Sequence, residues 1–302
     1  MLRRGLSRAT DALLPLAAAA AVLALVAPSI ALSERSDLVL AALVLFTSLG
    51  ISPAQLLAVR EHTGALAALV VLPFVLLAPL GWLVSLLFSG AVSEGVLALG
   101  VSCTEVAAVS LVAIAGGSTV VALGALTGSL VVAALAGPLL LGGLAGADAN
   151  VAAGELVGRF SLVVLVPLGV GLLVRASSRA LDRAQPELAG LATLAVVVLV
   201  YAAMSGAGED GDLLDAAAAS ALFLAATAVL AAGWIALAPP ELRGTGALVI
   251  ELRDFAVAAA LASQAFGPAA ATVSGVYGVL MLLLGAAAAH WLPSRRAQGA
   301  TS

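Results

Sequence analysis

Lysine is missing from this sequence: all thirteen basic residues are arginine, which removes Schiff-base and phosphate-loop lysine chemistry. Cysteine occurs once, at Cys103, so neither an intramolecular disulfide nor a cysteine-built metal cluster can form. Charge is scarce as well, at 10% of residues against about 25% in soluble domains. The net charge of -4 is spread thinly, and no basic patch interleaved with aromatics is present to engage nucleic acid. No His/Cys/Asp metal spacing, no G-x-S-x-G and no nucleotide-binding motif occurs, which argues against an enzyme and against ATP-driven transport.

What is there is apolar. Hydrophobic residues make up 63% of the 302 positions, and the mean hydropathy is +1.18. One water-soluble core cannot hide so much apolar surface, so lipid is the expected solvent. A helix spans a bilayer in roughly 17–25 residues. Ten stretches qualify: about 13–32, 38–54, 65–87, 96–114, 119–141, 156–174, 188–204, 213–237, 245–264 and 269–291. The first, after MLRRGLSR, also has the charged start of a secretory signal, and Ser29-Ile30-Ala31 resembles a cleavage site. Its length and the repeat described below favour a retained helix.

Charge placement orients the chain. With the N-terminus inside, Arg3, Arg4, Arg8, Arg60, Arg175, Arg179, Arg183, Arg243, Arg295 and Arg296 lie on the inner side, with Arg35 alone outside. Glu34, Asp37, Glu94, Asp148, Glu155, Glu209, Asp210 and Asp212 gather outside, so the arginine bias predicts both ends in the cytoplasm. The expectation is one multi-pass domain over 1–302 in the cell (inner or plasma) membrane, with short cytoplasmic tails at 1–10 and 294–302. Two arginines fall within spans. Arg159 is near enough to the outer end to snorkel, whereas Arg253 is mid-span.

Residues 104–137, TEVAAVSLVAIAGGSTVVALGALTGSLVVAALAG, and 253–286, RDFAVAAALASQAFGPAAATVSGVYGVLMLLLGA, share one texture. Each opens on a polar pair, runs through small apolar residues to a glycine-containing turn, and enters a glycine-rich span. Half a chain separates them, which predicts two five-helix repeats of opposite orientation with a binding site where they meet near the midplane.

The polar residues buried in the spans are the candidate site. Unpaired charge at the bilayer centre costs about 2.5–3.5 kcal/mol on insertion scales, yet Ser102, Cys103, Thr104 and Glu105 lie in the fourth span and Glu251, Arg253 and Asp254 in the ninth. Interrupted helices here would expose backbone groups able to coordinate a cation or a carboxylate. Thr104, Glu105, Glu251 and Asp254 are the candidates for a coupling proton or sodium ion; no cofactor is expected, with a sodium ion alone left open. Arg253, with Ser102 and Cys103, is the candidate for an anionic substrate. Thr127 either adds a hydroxyl or bonds its own helix. The bland alternative is a static ion pair between Arg253 and Glu105 or Asp254.

The stretches "ALVLFTSLGISPAQLLAVREHTGALAALVVLPFVLLAPLGWLV", "AIAGGSTVVALGALTGS" and "ELRDFAVAAALASQAFGPAAATVSGVYGVLMLLLGAAAAHW" resemble the bile acid:sodium symporter family and its bacterial relatives, over about residues 12–292. The resemblance implies an all-α fold of ten helices with discontinuous, crossing fourth and ninth helices. It also implies a core domain (about 65–141 and 213–291) moving against a panel (about 13–54 and 156–204). Three family features differ. Ser102-Cys103-Thr104-Glu105 replaces a Pro-Gly-Gly run followed by Ser-Asn, and Arg253-Asp254 stands near a Gln-Asn pair that follows an acid matched by Glu251. Phe74, before Pro79, takes the place of a glutamine. Sodium coupling, proton coupling and no ion coupling all stay open. The expected function is a secondary active transporter of a small organic anion. The alternatives are a cation/proton antiporter, an auxin-efflux-type carrier, or a non-transporting membrane scaffold or receptor. The expected partners are the bilayer and the solute, with the oligomeric state left open.

Overall fold

The computed structural model describes residues 12–146, 153–178, 181, 184–206 and 213–291. The expected tails lie outside these residues. So do Asp148, Glu209, Asp210, Asp212 and most of the arginines that orient the chain (Arg3, Arg4, Arg8, Arg179, Arg183, Arg295 and Arg296). Regular structure among the described residues is helical, apart from one isolated bridge. The helices are α1 (Leu13–Val26), α2 (Ile30–Ser33), α3 (Ser36–Leu49), α4 (Pro53–Ala58), α5 (Thr63–Ser85), α6 (Gly90–Gly100) and α7 (Ala107–Ile114). They continue with α8 (Thr119–Ala145), α9 (Ala153–Ser177), α10 (Gln185–Ser205), α11 (Leu213–Leu237), α12 (Arg243–Glu251), α13 (Phe255–Phe266) and α14 (Ala271–Trp291).

Among the described residues, six helical segments are long and apolar enough to cross a membrane, and four shorter apolar helices accompany them. Large apolar side chains also point outward, such as Leu214 at 83% and Leu237 at 89% exposure. A water-soluble protein would bury that surface, whereas a lipid-solvated one need not. The chain is a multi-pass membrane protein.

Four expected spans are broken, among them 38–54, where α3 ends at Leu49 and α4 begins at Pro53. In 13–32, α1 stops at Val26 and α2 starts at Ile30; Pro28 supplies no N–H and disfavours helical backbone at Ala27. The span at 96–114 is two helices, α6 and α7, and that at 245–264 is two, α12 and α13. Residues 90–95, expected as a connection, form the first turns of α6. Each second half-helix is followed by a glycine in the left-handed region, Gly116 at φ 70° and Gly267 at φ 104°. Such a residue closes a helix C-terminus without the Cβ strain another side chain would bring.

Helix α3 packs against α9 and α10, α10 against α1, α5 against α6 and α8, and α11 and α13 against α14. The two broken segments also reach each other's turns. The amide of Ser118 donates to Thr245 Oγ1 of α12 at 2.8 Å. In the other half, Gly95 of α6 comes so near Ala270 that an added Cβ would lie 2.4 Å from its carbonyl oxygen.

Candidate functional site

Residues 101–106 and 252–254 leave the helical path inside the protein, and every backbone polar group freed there needs a partner. Much of that need is met where the breaks meet. Glu105 N–H donates to Leu252 O at 3.0 Å and Asp254 N–H to Cys103 O at 2.8 Å. These bonds flank an antiparallel bridge between Thr104 and Arg253. The amides of the bridged residues point the other way and meet side chains. Thr104 N–H donates to Ser129 Oγ of α8 at 3.1 Å, and Arg253 N–H to the Tyr277 hydroxyl of α14 at 3.2 Å. The Tyr277 hydroxyl in turn donates to Glu251 O at 3.1 Å, and so spans the break. Ser102 Oγ donates to Leu99 O at 2.8 Å, satisfying a carbonyl at the end of α6.

The two acids sit where the second half-helices begin. Asp254 is the N-cap of α13, its Oδ1 accepting from Val257 N–H at 2.9 Å. Glu105 Oε1 faces Ala107 N–H at the start of α7, 3.5 Å away, while Oε2 is buried without a partner. Helix N-termini carry partial positive charge, which stabilises carboxylates there. Backbone N–H groups, and no arginine salt bridge, thus meet these carboxyls directly.

Arg253 is fully buried. Its guanidinium donates through Nη2 to the Ser102 carbonyl, just past the C-terminal end of α6, and lies 5.7 Å from the centre of the Phe74 ring. Nε and Nη1 have no partner, and no hydrogen bond joins the guanidinium to Glu105, Glu251 or Asp254. The static pair is therefore not formed. Arg159 does more than snorkel: it pairs with Asp37 at 2.8 Å.

A cavity of about 20 Å³ opens beside the crossing, lined by Thr47 of α3, Leu168 of α9, Thr127 of α8, Val106 and Asp254 among others. That is room for about one water molecule or a bare cation. Thr127 both lines this cavity and donates its hydroxyl to Leu123 O on its own helix at 2.9 Å. Thr47 Oγ1 is buried without a partner. The structure therefore gathers Ser102, Cys103, Thr104, Glu105, Arg253 and Asp254 at one crossing with Thr127 at its edge. Glu251 joins through its carbonyl, and its half-buried carboxylate does not line the cavity.

Sequence reasoning missed Ser129, Tyr277 and Thr47. Ser129 and Tyr277 had a readable signal: hydroxyls on apolar helices, 25 and 24 residues after Thr104 and Arg253. Thr47 had none, since α3 meets the crossing only through folding.

No curated protein matches the chain. A family profile does: that of the SBF-like CPA transporter family, over residues 11–276. These are transporters rather than enzymes, in keeping with the absent catalytic motifs. With nearly the whole described chain inside that match, the protein belongs to the SBF-like CPA transporter family.

Proposed function

We propose that the protein is an ion-coupled secondary active transporter of the cell membrane, with Asp254 and Glu105 taking up a proton or sodium ion at the crossing. Ten membrane passages in two inverted five-helix repeats, with both ends cytoplasmic, form a core (about 65–141 and 213–291). This core moves against a panel (about 13–54 and 156–204). The observation that carries this reading is the pair of interrupted segments meeting antiparallel, each placing a buried carboxyl at a half-helix N-terminus. The matching hydroxyls of Ser129 and Tyr277 and the matching glycines 116 and 267 support the repeat. Thr104 and Thr127 border the ion site.

A small organic anion is the cargo of the first reading. The Arg253 N–H groups without partners are the donors a carboxylate would meet once the core shifts, with Ser102 and Cys103 beside them. One observation favours a second reading, a cation/proton antiporter. The cavity displays Asp254 while Arg253 is sealed, and about 20 Å³ admits a cation but no organic solute. Proteoliposomes separate the two. Proton flux after a pH jump with sodium alone supports antiport; flux that requires a carboxylated solute, found by thermal-shift screening, supports the anion carrier. Neither flux under any condition would leave the scaffold reading.

The motion has its own test. Gln264 Nε2 of α13 donates to Asp37 Oδ1 of α3 at 2.6 Å, and Arg159 holds the same carboxylate. This contact joins core to panel ten residues beyond Asp254, about 15 Å along α13 at 1.5 Å per residue. The cavity lies toward the other end of α3. In a Cys103→Ala background, Thr47→Cys is expected to react with an impermeant maleimide from the arginine-rich side. Releasing the contact with Gln264→Ala is expected to slow that labelling several-fold. Labelling that ignores side, ion and variant would sink alternating access.

A further inference from the structure

An open apolar groove of about 470 Å³ lies between α5 and α11, separate from the cavity at the crossing. Leu76 and Val229 form its walls, Pro73 and Ile250 its floor, and Leu237 and Pro239 its end. Val229 is 71% and Leu237 89% exposed, so the groove opens outward into the bilayer. Along α11 it runs from Val229 to Leu237, eight residues or about 12 Å at 1.5 Å per residue. That approaches half of the roughly 30 Å hydrocarbon thickness, so the groove is about one leaflet deep.

A cation stands at its end. Arg243 is exposed, and its Nε donates at 3.0 Å to the carbonyl of Ala238, a lining residue. The indole N–H of Trp234, also in the lining, donates to Leu242 O at 3.1 Å and ties this segment to the groove wall. Glu241 lies two residues before Arg243, so the segment is not simply basic, and selectivity for an anion would come from a guanidinium held at the rim.

We propose that this groove is a binding site for one anionic phospholipid of the adjoining leaflet, with an acyl chain between α5 and α11 and the phosphate on Arg243. An apolar slot of one-leaflet depth closed by a guanidinium matches such a lipid in length, polarity and charge. Pro73 and Ile250 are the chain neighbours of Phe74 and Glu251, so the lipid lies one residue away from the crossing. The site depends on membrane insertion alone and stands whether or not the protein transports.

The test uses the full chain in neutral detergent, with phosphatidylglycerol and phosphatidylcholine of the same acyl chains as probes. Thermal melts and native mass spectrometry are the readouts. Phosphatidylglycerol is expected to raise Tm by a few degrees more than phosphatidylcholine and to remain as one bound copy. Arg243→Gln removes the difference, and Arg243→Lys, which preserves the charge, retains most of it. Gly233→Leu, at a lining position whose added Cβ meets no atom within 4 Å, fills the groove and weakens retention of both lipids. Equal effects of the two lipids, an undiminished preference in Arg243→Gln, or unchanged retention in Gly233→Leu would each overturn the proposal.

Discussion

Asp254→Asn is expected to fold like the unaltered protein and to transport nothing. Asp254 has two separable duties. As the N-cap of α13 it accepts from Val257 N–H at 2.9 Å, and asparagine caps about as well as aspartate. As an ionisable group lining the cavity it can exchange a proton or hold a cation, and asparagine can do neither. Asp254→Ala removes both duties, so transport falls to background and stability drops by about 0.5–2 kcal/mol, the usual cost of losing a cap. Glu105→Gln is expected to match Asp254→Asn. Its Oε1 reaches Ala107 N–H only at 3.5 Å, so the capping loss in Glu105→Ala is the smaller one. The measurements are ion-driven flux in proteoliposomes and a thermal melt of the same preparations. Wild-type flux through Asp254→Asn would sink the assignment.

The second large effect belongs to residues that carry no charge. Tyr277→Phe leaves Arg253 N–H and Glu251 O without their partner, and Ser129→Ala does the same to Thr104 N–H. All five residues are buried except half-buried Glu251. An unsatisfied buried group costs about 1–3 kcal/mol. If that cost appears where the break must keep its shape, turnover falls about tenfold for each 1.4 kcal/mol. Thr227→Val is the control, because the Thr227 hydroxyl bonds only Leu224 O on its own helix at 2.9 Å. Its flux is expected to stay near wild type. Equal losses in all three variants would point to general loosening of the bundle rather than to support of the breaks.

The breaks were legible because polar residues are so rare in these spans. Ser102 to Glu105 and Arg253-Asp254 stand out against Ala, Val and Leu, and their cost in hydrocarbon marks them as purposeful. The partners of the acids were not legible. Opposite charges in one sequence invite an ion pair, but the carboxyls sit instead against the N-termini of α7 and α13, which exist only because the chain is interrupted. Arg159 shows the converse. A terminal arginine looks content in the headgroups, yet it joins Asp37 across 122 positions.

By itself the sequence determined the solvent, the helical class, the positions of most spans and the family, because hydropathy and charge are local properties that lipid reads directly. Tertiary structure alone decided which groups meet: Ser129 and Tyr277 at the break amides, Thr47 at the cavity, Arg253 on a carbonyl and an aromatic face instead of a carboxylate. The reason is that a break leaves backbone donors and acceptors that any nearby hydroxyl, carbonyl or dipole can satisfy. Only packing chooses among them.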